Sequence, residues 1–260
     1  MRVLVDGLDH PEGVAVASDG SVWCGGEAGQ IYRVDAGAGT FEQIASTGGF
    51  CLGLAFDAHG ALFVCDVKHG AVFKLSGDRL ERFAEGFRNP NALAFDGAGN
   101  VFVSESHAQG EPGPGLFRFA PDGSGGLWHD EPLHFANGLA LAPDGSALYV
   151  AETWAHAIVR VPTNGTGTRE VVAQLDGVLP DGLAFDAEGR LYVACYEPSQ
   201  ILRIDPDGSV NTVVHDETAH LLCHPTNVAF LGTELIAANL GRWHLTAIDV
   251  GAAGVPVPPR

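Results

Sequence analysis

The sequence predicts an all-β protein, a six-bladed β-propeller with four antiparallel strands in each blade. Two observations support this prediction. A short motif with an apolar triplet occurs six times along the chain, at separations of 39 to 46 residues, which is the length of one blade. Inside each repeat the apolar residues form short runs between Gly and Asp turns, without the three- and four-residue spacing of helical repeats. The chain is therefore expected to form one domain over residues 1–260.

The first strand of each repeat carries the apolar triplet, and the second and third strands follow it. The triplets occupy residues 14–16, 54–56, 93–95, 139–141, 183–185 and 228–230. In the fourth repeat the turn after the triplet contains Asp144 and Gly145, of which Gly tolerates a positive φ and Asp can bond its own backbone. The third strands are apolar runs such as residues 72–75 and 158–161, whereas the fourth strands are the least regular.

The N-terminal segment is predicted to close the ring of blades. The sixth repeat provides three strands and is followed by residues 251–260, a Pro-rich tail that cannot form a ladder strand. Residues 1–5 form a spare strand ahead of the first triplet. Because a ring of sheets cannot leave an edge exposed, this strand is expected to complete the last blade.

Charge and composition exclude several classes of partner. A formal net charge of −18 argues against binding to nucleic acid or to anionic membranes. No apolar run approaches a membrane span, and the N-terminus lacks the apolar core of a signal peptide. The five cysteines show no paired spacing, which indicates free thiols in a reducing compartment. We therefore expect a cytoplasmic protein that acts on a small molecule, with its oligomeric state left open.

One residue heads the first strand of each blade, and these six residues should meet around the central channel. They are Glu12, Leu52, Asn91, Asn137, Asp181 and Thr226. Four of them, Glu12, Asn91, Asn137 and Asp181, carry the oxygen atoms that hard divalent cations prefer. They predict one divalent cation, with Ca²⁺ favoured and Zn²⁺, Mn²⁺, Fe²⁺ and Mg²⁺ as alternatives. The competing interpretation is a ring of hydrated polar side chains without a metal.

The loops at the same end of the channel are predicted to form a substrate pocket. Their aromatic, imidazole and guanidinium groups give the candidate substrate-binding residues Arg88, Phe135, Trp154, His156, Tyr196, Trp243 and His244. Carboxylates at the ends of the second strands, among them Asp66, Glu105 and Glu152, are candidates for orienting the ring, and the alternative is that they cap the amides of nearby loops. The long loop at residues 107–115 is either a lid or an insertion without a role.

Residues 180–196 resemble the corresponding blade of the SMP-30/gluconolactonase/LRE family, also called regucalcin-like. The segments around Glu12, Asn137 and Thr226 resemble that family too. The resemblance implies a six-bladed propeller that holds one divalent cation through Glu12, Asn137 and Asp181, with Asn91 nearby. It also implies lactone hydrolysis, with Asp181 as both metal ligand and proposed base.

The third repeat departs from the family pattern. Sugar lactonases of the family carry Arg-x-Asn-Asp-Gly there, whereas this chain has Asn-Pro-Asn-Ala-Leu at residues 89–93, with Arg88 one position too early. Together with the aromatic side chains of the loops, this departure predicts a substrate that is less polar than a sugar lactone.

The leading hypothesis is a metal-dependent hydrolase of a cyclic ester, with Asp181 removing a proton from water. His156 or His244 could assist proton transfer to the leaving group. Two alternatives stay open. Residues 152–154 and 158–160 resemble strictosidine-synthase-like propellers, which favours a non-hydrolytic lyase, isomerase or condensing enzyme on the same scaffold. The third possibility is a protein that binds a metal or ligand without turnover.

Overall fold

The computed structural model describes residues 1–165 and 168–255 of the chain. These residues form 24 strands and one short 3-10 helix over Thr153–Ala155, and the strands make six four-stranded antiparallel sheets. The predicted six-bladed β-propeller is therefore confirmed. Within the described ranges, no helix combines the length and the apolar character that crossing a membrane requires.

The first three blades follow the N-terminal strand β1 (Arg2–Asp6), and each is built from consecutive strands, innermost first. Blade 1 contains β2 (Val14–Val16), β3 (Val22–Gly25), β4 (Gln30–Asp35) and β5 (Thr40–Ser46). Blade 2 contains β6 (Cys51–Phe56), β7 (Leu62–Asp66), β8 (Ala71–Ser76) and β9 (Arg79–Glu85). Blade 3 contains β10 (Pro90–Phe95), β11 (Val101–Glu105), β12 (Leu116–Phe119) and β13 (Gly125–His129).

The next two blades follow the same order, and the sixth takes its outermost strand from the N-terminus. Blade 4 contains β14 (Ala136–Leu141), β15 (Ala147–Glu152), β16 (Ala157–Pro162) and β17 (Glu170–Gln174). Blade 5 contains β18 (Leu179–Phe185), β19 (Leu191–Glu197), β20 (Gln200–Ile204) and β21 (Val210–His215). Blade 6 contains β22 (Pro225–Leu231), β23 (Glu234–Asn239), β24 (His244–Asp249) and β1.

The ring closes through β1, as the sequence predicts. β1 pairs antiparallel with β24, with Arg2 opposite Ala247 and Asp6 opposite His244. The inner strand of each blade also contacts the inner strand of the next, and β22 contacts β2. The C-terminal tail adds one bridge, between Gly254 and Asp186 of blade 5, rather than a ladder strand. Residues 256–260 of that predicted tail lie outside the described residues.

The hydrophobic core lies between neighbouring blades rather than in one central mass. At four of the six junctions an aromatic residue of a second strand meets a phenylalanine of the next inner strand edge-on. These pairs are Trp23–Phe56, Phe63–Phe95, Tyr149–Phe185 and Tyr192–Phe230, with ring centroids 5.0 to 5.9 Å apart. Edge-to-face packing adds about 0.5–1.5 kcal/mol per pair beyond buried area, so these contacts help to hold the blades in order.

Candidate functional site

The six predicted ring residues all lie at the heads of the inner strands. None of them is more than 9% exposed. In blades 2 to 6 the ring residue falls in an irregularity of the ladder, for example between Pro90 and Leu93 in blade 3 and between Ala136 and Leu139 in blade 4. A bulge re-aims the side chains of its strand, so these residues need not follow the alternation of the strand.

Glycines let the heads of neighbouring inner strands approach each other at backbone distance. Four of the six ring residues are followed by glycine, at Gly13, Gly53, Gly138 and Gly182. A Cβ atom at Gly53 would lie 2.6 Å from the carbonyl oxygen of Asn91, and one at Gly182 would lie 2.5 Å from that of Thr226. Real Cβ atoms do not come this close, so larger side chains there would push the ring apart.

Hydroxyl groups connect the ring at two other junctions. Thr226 Oγ1 donates a hydrogen bond to the carbonyl oxygen of Glu12 over 2.6 Å, which joins blade 6 to blade 1. Ser104 Oγ donates to the carbonyl oxygen of Asn137 over 2.7 Å and accepts from the Ala92 amide over 2.9 Å, which joins blade 3 to blade 4. The heads of the inner strands therefore form a closed circuit around the channel.

Three side-chain oxygens of the ring are buried without a hydrogen-bond partner among the described residues. They are Asn91 Oδ1, Asn137 Oδ1 and Asp181 Oδ1. The amide nitrogens of both asparagines do have partners, because Asn91 Nδ2 donates to Ser106 Oγ and Asn137 Nδ2 donates to Thr153 Oγ1. Since buried polar atoms are normally paired, three unpaired oxygens in one ring point to a missing partner of positive charge.

The two carboxyl groups of the ring lie close to each other. Burial raises the pKa of Glu12 well above its usual range, and the nearby Asp181 raises it further. Burial likewise raises the pKa of Asp181, against the smaller opposing effect of the Asn137 side-chain amide. Asn227 Nδ2 lies 3.3 Å from Glu12 Oε2 and 3.1 Å from the carbonyl oxygen of Glu12, which holds this side chain in place.

The donor set of the ring fits a hard divalent cation. Glu12 and Asp181 supply two carboxylates, which balance a charge of two, and Asn91 and Asn137 supply neutral oxygens. A cation would pair the three unpartnered oxygens and offset the cost of burying two negative groups together. The chemistry that such a site supports is the polarisation of a carbonyl or phosphoryl oxygen.

Glu152 does not contact the ring, in contrast to the role that the sequence suggests. It is completely buried, forms an ion pair with Arg169, and accepts a hydrogen bond from the His134 amide over 2.8 Å. It therefore anchors the loop that leads into β14. The residues that contact the ring asparagines are Ser106 and Thr153, which the sequence reasoning missed. Each directly follows the carboxylate at the end of a second strand, and this shared position is the sequence signal that could have identified them.

Several of the predicted pocket residues are paired with each other or with neighbouring rings. Phe135 and Trp154 meet edge-on with centroids 5.9 Å apart. Tyr196 stacks on His224 with ring centroids 4.5 Å apart. Burial raises the pKa of Tyr196, and the charges of Glu197, Asp181 and Cys223 raise it further. Trp243 is 53% exposed, so a large apolar surface is open to solvent there.

The two predicted pocket histidines are less available to a ligand. His156 Nδ1 lies 2.6 Å from the carbonyl oxygen of Val178. His244 is buried at the start of β24 rather than in a loop, with Nε2 3.0 Å from the carbonyl oxygen of Leu221. One nitrogen of each histidine is therefore already engaged by the backbone. Arg88, in contrast, is exposed.

Strained backbone conformations, with positive φ at residues other than glycine, occur in the loops at the ring end of the propeller. The non-glycine residues with positive φ are His10, Phe135, His156, Ala219 and His224. All five lie in connections that open at this end. Such conformations cost of order 1–3 kcal/mol each and cluster at functional sites. Their distribution supports this end of the channel as the functional face.

Two other features involve none of the ring residues. Asp9, His10 and Glu27 bring possible ligand atoms within 4.8 Å of one another, but Asp9 also accepts hydrogen bonds from Gln30 and Ala28. These hydrogen bonds hold the first loop in place, and they explain the cluster without a metal ion. A surface cavity of about 610 Å³ lies on blade 1, and no ring residue lines it.

The fold and the ring define a six-bladed propeller with an oxygen-rich polar site at the head of its inner strands. The profile of the SMP-30/gluconolactonase/LRE-like region matches residues 10–237. The chain belongs to this family, and the resemblance seen in the sequence is confirmed.

Individual relatives are distant from this chain. Protein strictosidine synthase-like 6 of Arabidopsis thaliana is 25% identical over 300 residues, covering 94% of this chain and 80% of that protein. The 6-deoxy-6-sulfogluconolactonase of Pseudomonas putida is 35% identical over 106 residues, covering 38% of this chain and 35% of that protein. A gluconolactonase structure from Xanthomonas campestris has a TM-score of 0.79 at 20% identity, covering 95% of this chain and 89% of that chain. Structural similarity at 20% sequence identity establishes a shared fold and nothing further.

Proposed function

We propose that this chain is a divalent-metal-dependent hydrolase of a cyclic ester. The observation that carries the proposal is the ring itself, in which three buried oxygens have no hydrogen-bond partner in the described part of the chain and lie beside a second buried carboxyl group. Glu12, Asn91, Asn137 and Asp181 would hold the metal. The donor set favours Ca²⁺, with Zn²⁺, Mn²⁺, Fe²⁺ and Mg²⁺ as alternatives. The lactonases among the relatives support the same class of reaction.

In the proposed hydrolysis, individual residues of the chain have separate roles. When bound, a divalent cation polarises the ester carbonyl and stabilises the negative charge that develops on its oxygen. Asp181 has two carboxylate oxygens, so it can serve as a ligand and also accept a proton from the attacking water. Asn227 holds Glu12 in place through its side-chain amide. The family membership supports this assignment for Glu12, Asn137 and Asp181.

The proposed substrate is less polar than a sugar lactone. Phe135, Trp154, Tyr196 and Trp243 present aromatic surface at this end of the propeller, where Tyr196 lies near the end of β19. Arg88, His156 and His244 complete the set that we propose for substrate binding. The five free and buried cysteines support a cytoplasmic setting for this activity.

A comparison of metal-stripped and reconstituted protein tests the proposal. We expect a panel of aliphatic, aromatic and sugar lactones, followed by pH-stat, to show turnover that chelation removes and a divalent cation restores. Asp181→Ala should abolish that turnover. Leu52→Met is the matched control, because it changes a ring residue that offers no ligand atom. Undiminished turnover in Asp181→Ala would overturn the assignment.

A second candidate is a non-hydrolytic reaction on the same propeller. The observation that favours it is the match to strictosidine synthase-like 6, which extends over 94% of this chain. Activity that persists after removal of metal, or a product formed without the addition of water, would favour this candidate. Full metal occupancy with no turnover on any substrate of the panel would instead indicate a binding protein.

A further inference from the structure

Two hydroxyl groups beside the ring form matching hydrogen-bond relays. Asn91 Nδ2 lies 3.0 Å from Ser106 Oγ, and this hydroxyl donates to the carbonyl oxygen of Ala136 over 2.8 Å. The hydroxyl is buried, and Ala136 immediately precedes the ring residue Asn137. The relay therefore runs from the side chain of one ring residue to the backbone just before the next ring residue.

The second relay repeats this arrangement one blade further on. Asn137 Nδ2 lies 3.1 Å from Thr153 Oγ1, and Thr153 Oγ1 donates to the carbonyl oxygen of Pro180 over 2.8 Å. Pro180 immediately precedes Asp181. Thr153 is also buried, with 5% of its surface exposed.

The count of protons in each relay decides which way the asparagine amide faces. A hydroxyl group has one hydrogen, and a carbonyl oxygen can only accept. Because Ser106 donates its hydrogen to Ala136, it can only accept from Asn91, and the same holds for Thr153 and Asn137. The amide must therefore turn its NH₂ group toward the hydroxyl. The amide oxygen then faces the ring. Asn91 Oδ1 and Asn137 Oδ1 are two of the three ring oxygens that have no hydrogen-bond partner among the described residues.

The pattern of residues around the ring agrees with this role. In each blade, the first residue of the apolar triplet pairs with a second-strand residue, and the equivalent position lies three residues after that partner. This position holds a hydroxyl residue in blades 3 and 4, whose ring residues are asparagines. In the other four blades the same position holds Glu27, Val67, Tyr196 and Leu240. A carboxylate has oxygen on both sides and needs no such orientation, which accounts for the absence of a hydroxyl beside Glu12 and Asp181.

We infer that Ser106 and Thr153 are positioning residues that hold the Asn91 and Asn137 oxygens toward a divalent cation. The inference rests on the proposed function, because it assigns to two further residues the task of orienting the ligands of that site. Neither hydroxyl touches the metal. Without the hydroxyl, the amide can rotate and present its NH₂ group, which has no lone pair for a cation.

Calcium and manganese titrations of metal-free protein, followed by calorimetry, test this inference. We expect Ser106→Ala and Thr153→Val each to weaken binding by about 10- to 100-fold, the usual effect of removing a partner that orients a ligand. Thr153→Ser keeps the hydroxyl and should keep the wild-type affinity. The two relays are independent, so either variant is informative if the other fails to fold.

Thr246→Val is the matched control for packing. Thr246 is completely buried, and its hydroxyl accepts from the Asn239 side-chain amide and donates to the carbonyl oxygen of Leu221, which repeats the pattern with residues outside the ring. Thermal unfolding with chelator present should show a loss of stability in Thr246→Val similar to that in Thr153→Val, while calcium affinity falls only in Thr153→Val.

The outcomes separate the inference from the proposed function. Wild-type affinity in both Ser106→Ala and Thr153→Val, or an equal loss of affinity in Thr246→Val, overturns the inference and leaves the metal site standing. A wild-type protein that binds no divalent cation overturns the proposed function, and the inference falls with it.

Discussion

Glu12 and Asp181 bury two carboxyl groups close together, although they enter the ring from the first and fifth blades. Burial raises the pKa of Glu12 well above its usual range, and Asp181 raises it further. Over residues 1–165 and 168–255, no cationic side chain lowers the pKa of either group. In the absence of a metal, two negative groups in this setting oppose the folded state.

Removal of one of these charges should stabilise the metal-free protein. We expect Asp181→Asn to raise the free energy of unfolding at pH 8 by about 1 kcal/mol or more, because a buried charge without a partner is costly. Urea unfolding in the presence of chelator measures this change. Asp205→Asn is the control, since Asp205 pairs with Arg203 at the surface and its replacement should not stabilise the protein. A less stable Asp181→Asn protein would contradict the expectation.

The carboxylate of Asp216 organises the segment that leads to β22. It accepts hydrogen bonds from the amide and hydroxyl of Thr218 and from the amides of His220, Leu221 and Leu222, at 2.8 to 3.1 Å. Burial raises its pKa, but these hydrogen bonds outweigh burial and hold the pKa well below the usual value. Its contribution to stability is therefore present above the unfolded-state pKa, near pH 4, and is lost as the pH falls toward the lower folded-state pKa.

Substitution of Asp216 by asparagine should reveal this dependence on pH. Asp216→Asn is expected to lower the free energy of unfolding by about 1–3 kcal/mol at pH 7, because hydrogen bonds to a charged acceptor are lost. The difference from the wild type should shrink as the pH is lowered from 4 to 2. Urea unfolding at a series of pH values measures it, with the exposed neighbour Glu217→Gln as control. A difference that is the same at every pH would refute the prediction.

The ion pair between Arg169 and Glu152 predicts a large cost for removing the arginine. Glu152 is fully buried, so Arg169→Met leaves a buried carboxylate without its cation, at a cost of about 3–5 kcal/mol. Arg160→Met is the control, because the pair of Arg160 with Glu170 is exposed and contributes about 0–1 kcal/mol. Chemical unfolding measures both, and the double variant with Glu152→Gln should recover much of the loss. Equal costs for the two arginines would contradict the buried role of this pair.

The close approach of blades 4 and 5 predicts the effect of a single methyl group. A Cβ atom at Gly138 would overlap the Asp181 carbonyl oxygen and lie 2.6 Å from the Gly182 Cα atom. Gly138→Ala should therefore lower the free energy of unfolding by about 1–3 kcal/mol and weaken metal binding, since the ring must open. Gly126→Ala is the matched control, because it meets no atom within 4 Å and should be close to neutral. Wild-type metal affinity in Gly138→Ala would count against the proposed site.

Much of the architecture can be predicted from the sequence alone. Repeating triplets and Gly–Asp turns report local backbone pairing, and this pairing is decided by residues that are near each other in the chain. Repetition then predicts that Glu12, Asn91, Asn137 and Asp181 occupy the same position in their blades. The spare strand at the N-terminus predicts closure, which β1 provides by pairing with β24. The role of the ring as a metal site stays a prediction.

Only the tertiary structure decides which partner each polar side chain takes. The sequence suggests Glu152 as support for the ring, yet Arg169 from the far side of the same blade reaches it and neutralises it. The sequence also predicts that His244 lies in an open loop, whereas His244 is the first residue of β24 and its side chain is buried. The orientation of Asn137 depends on a proton shared by Thr153 and Pro180. The hydrogen-bond and ion-pair partners of these side chains depend on contacts between segments that are distant in sequence. A periodic sequence pattern therefore cannot predict them.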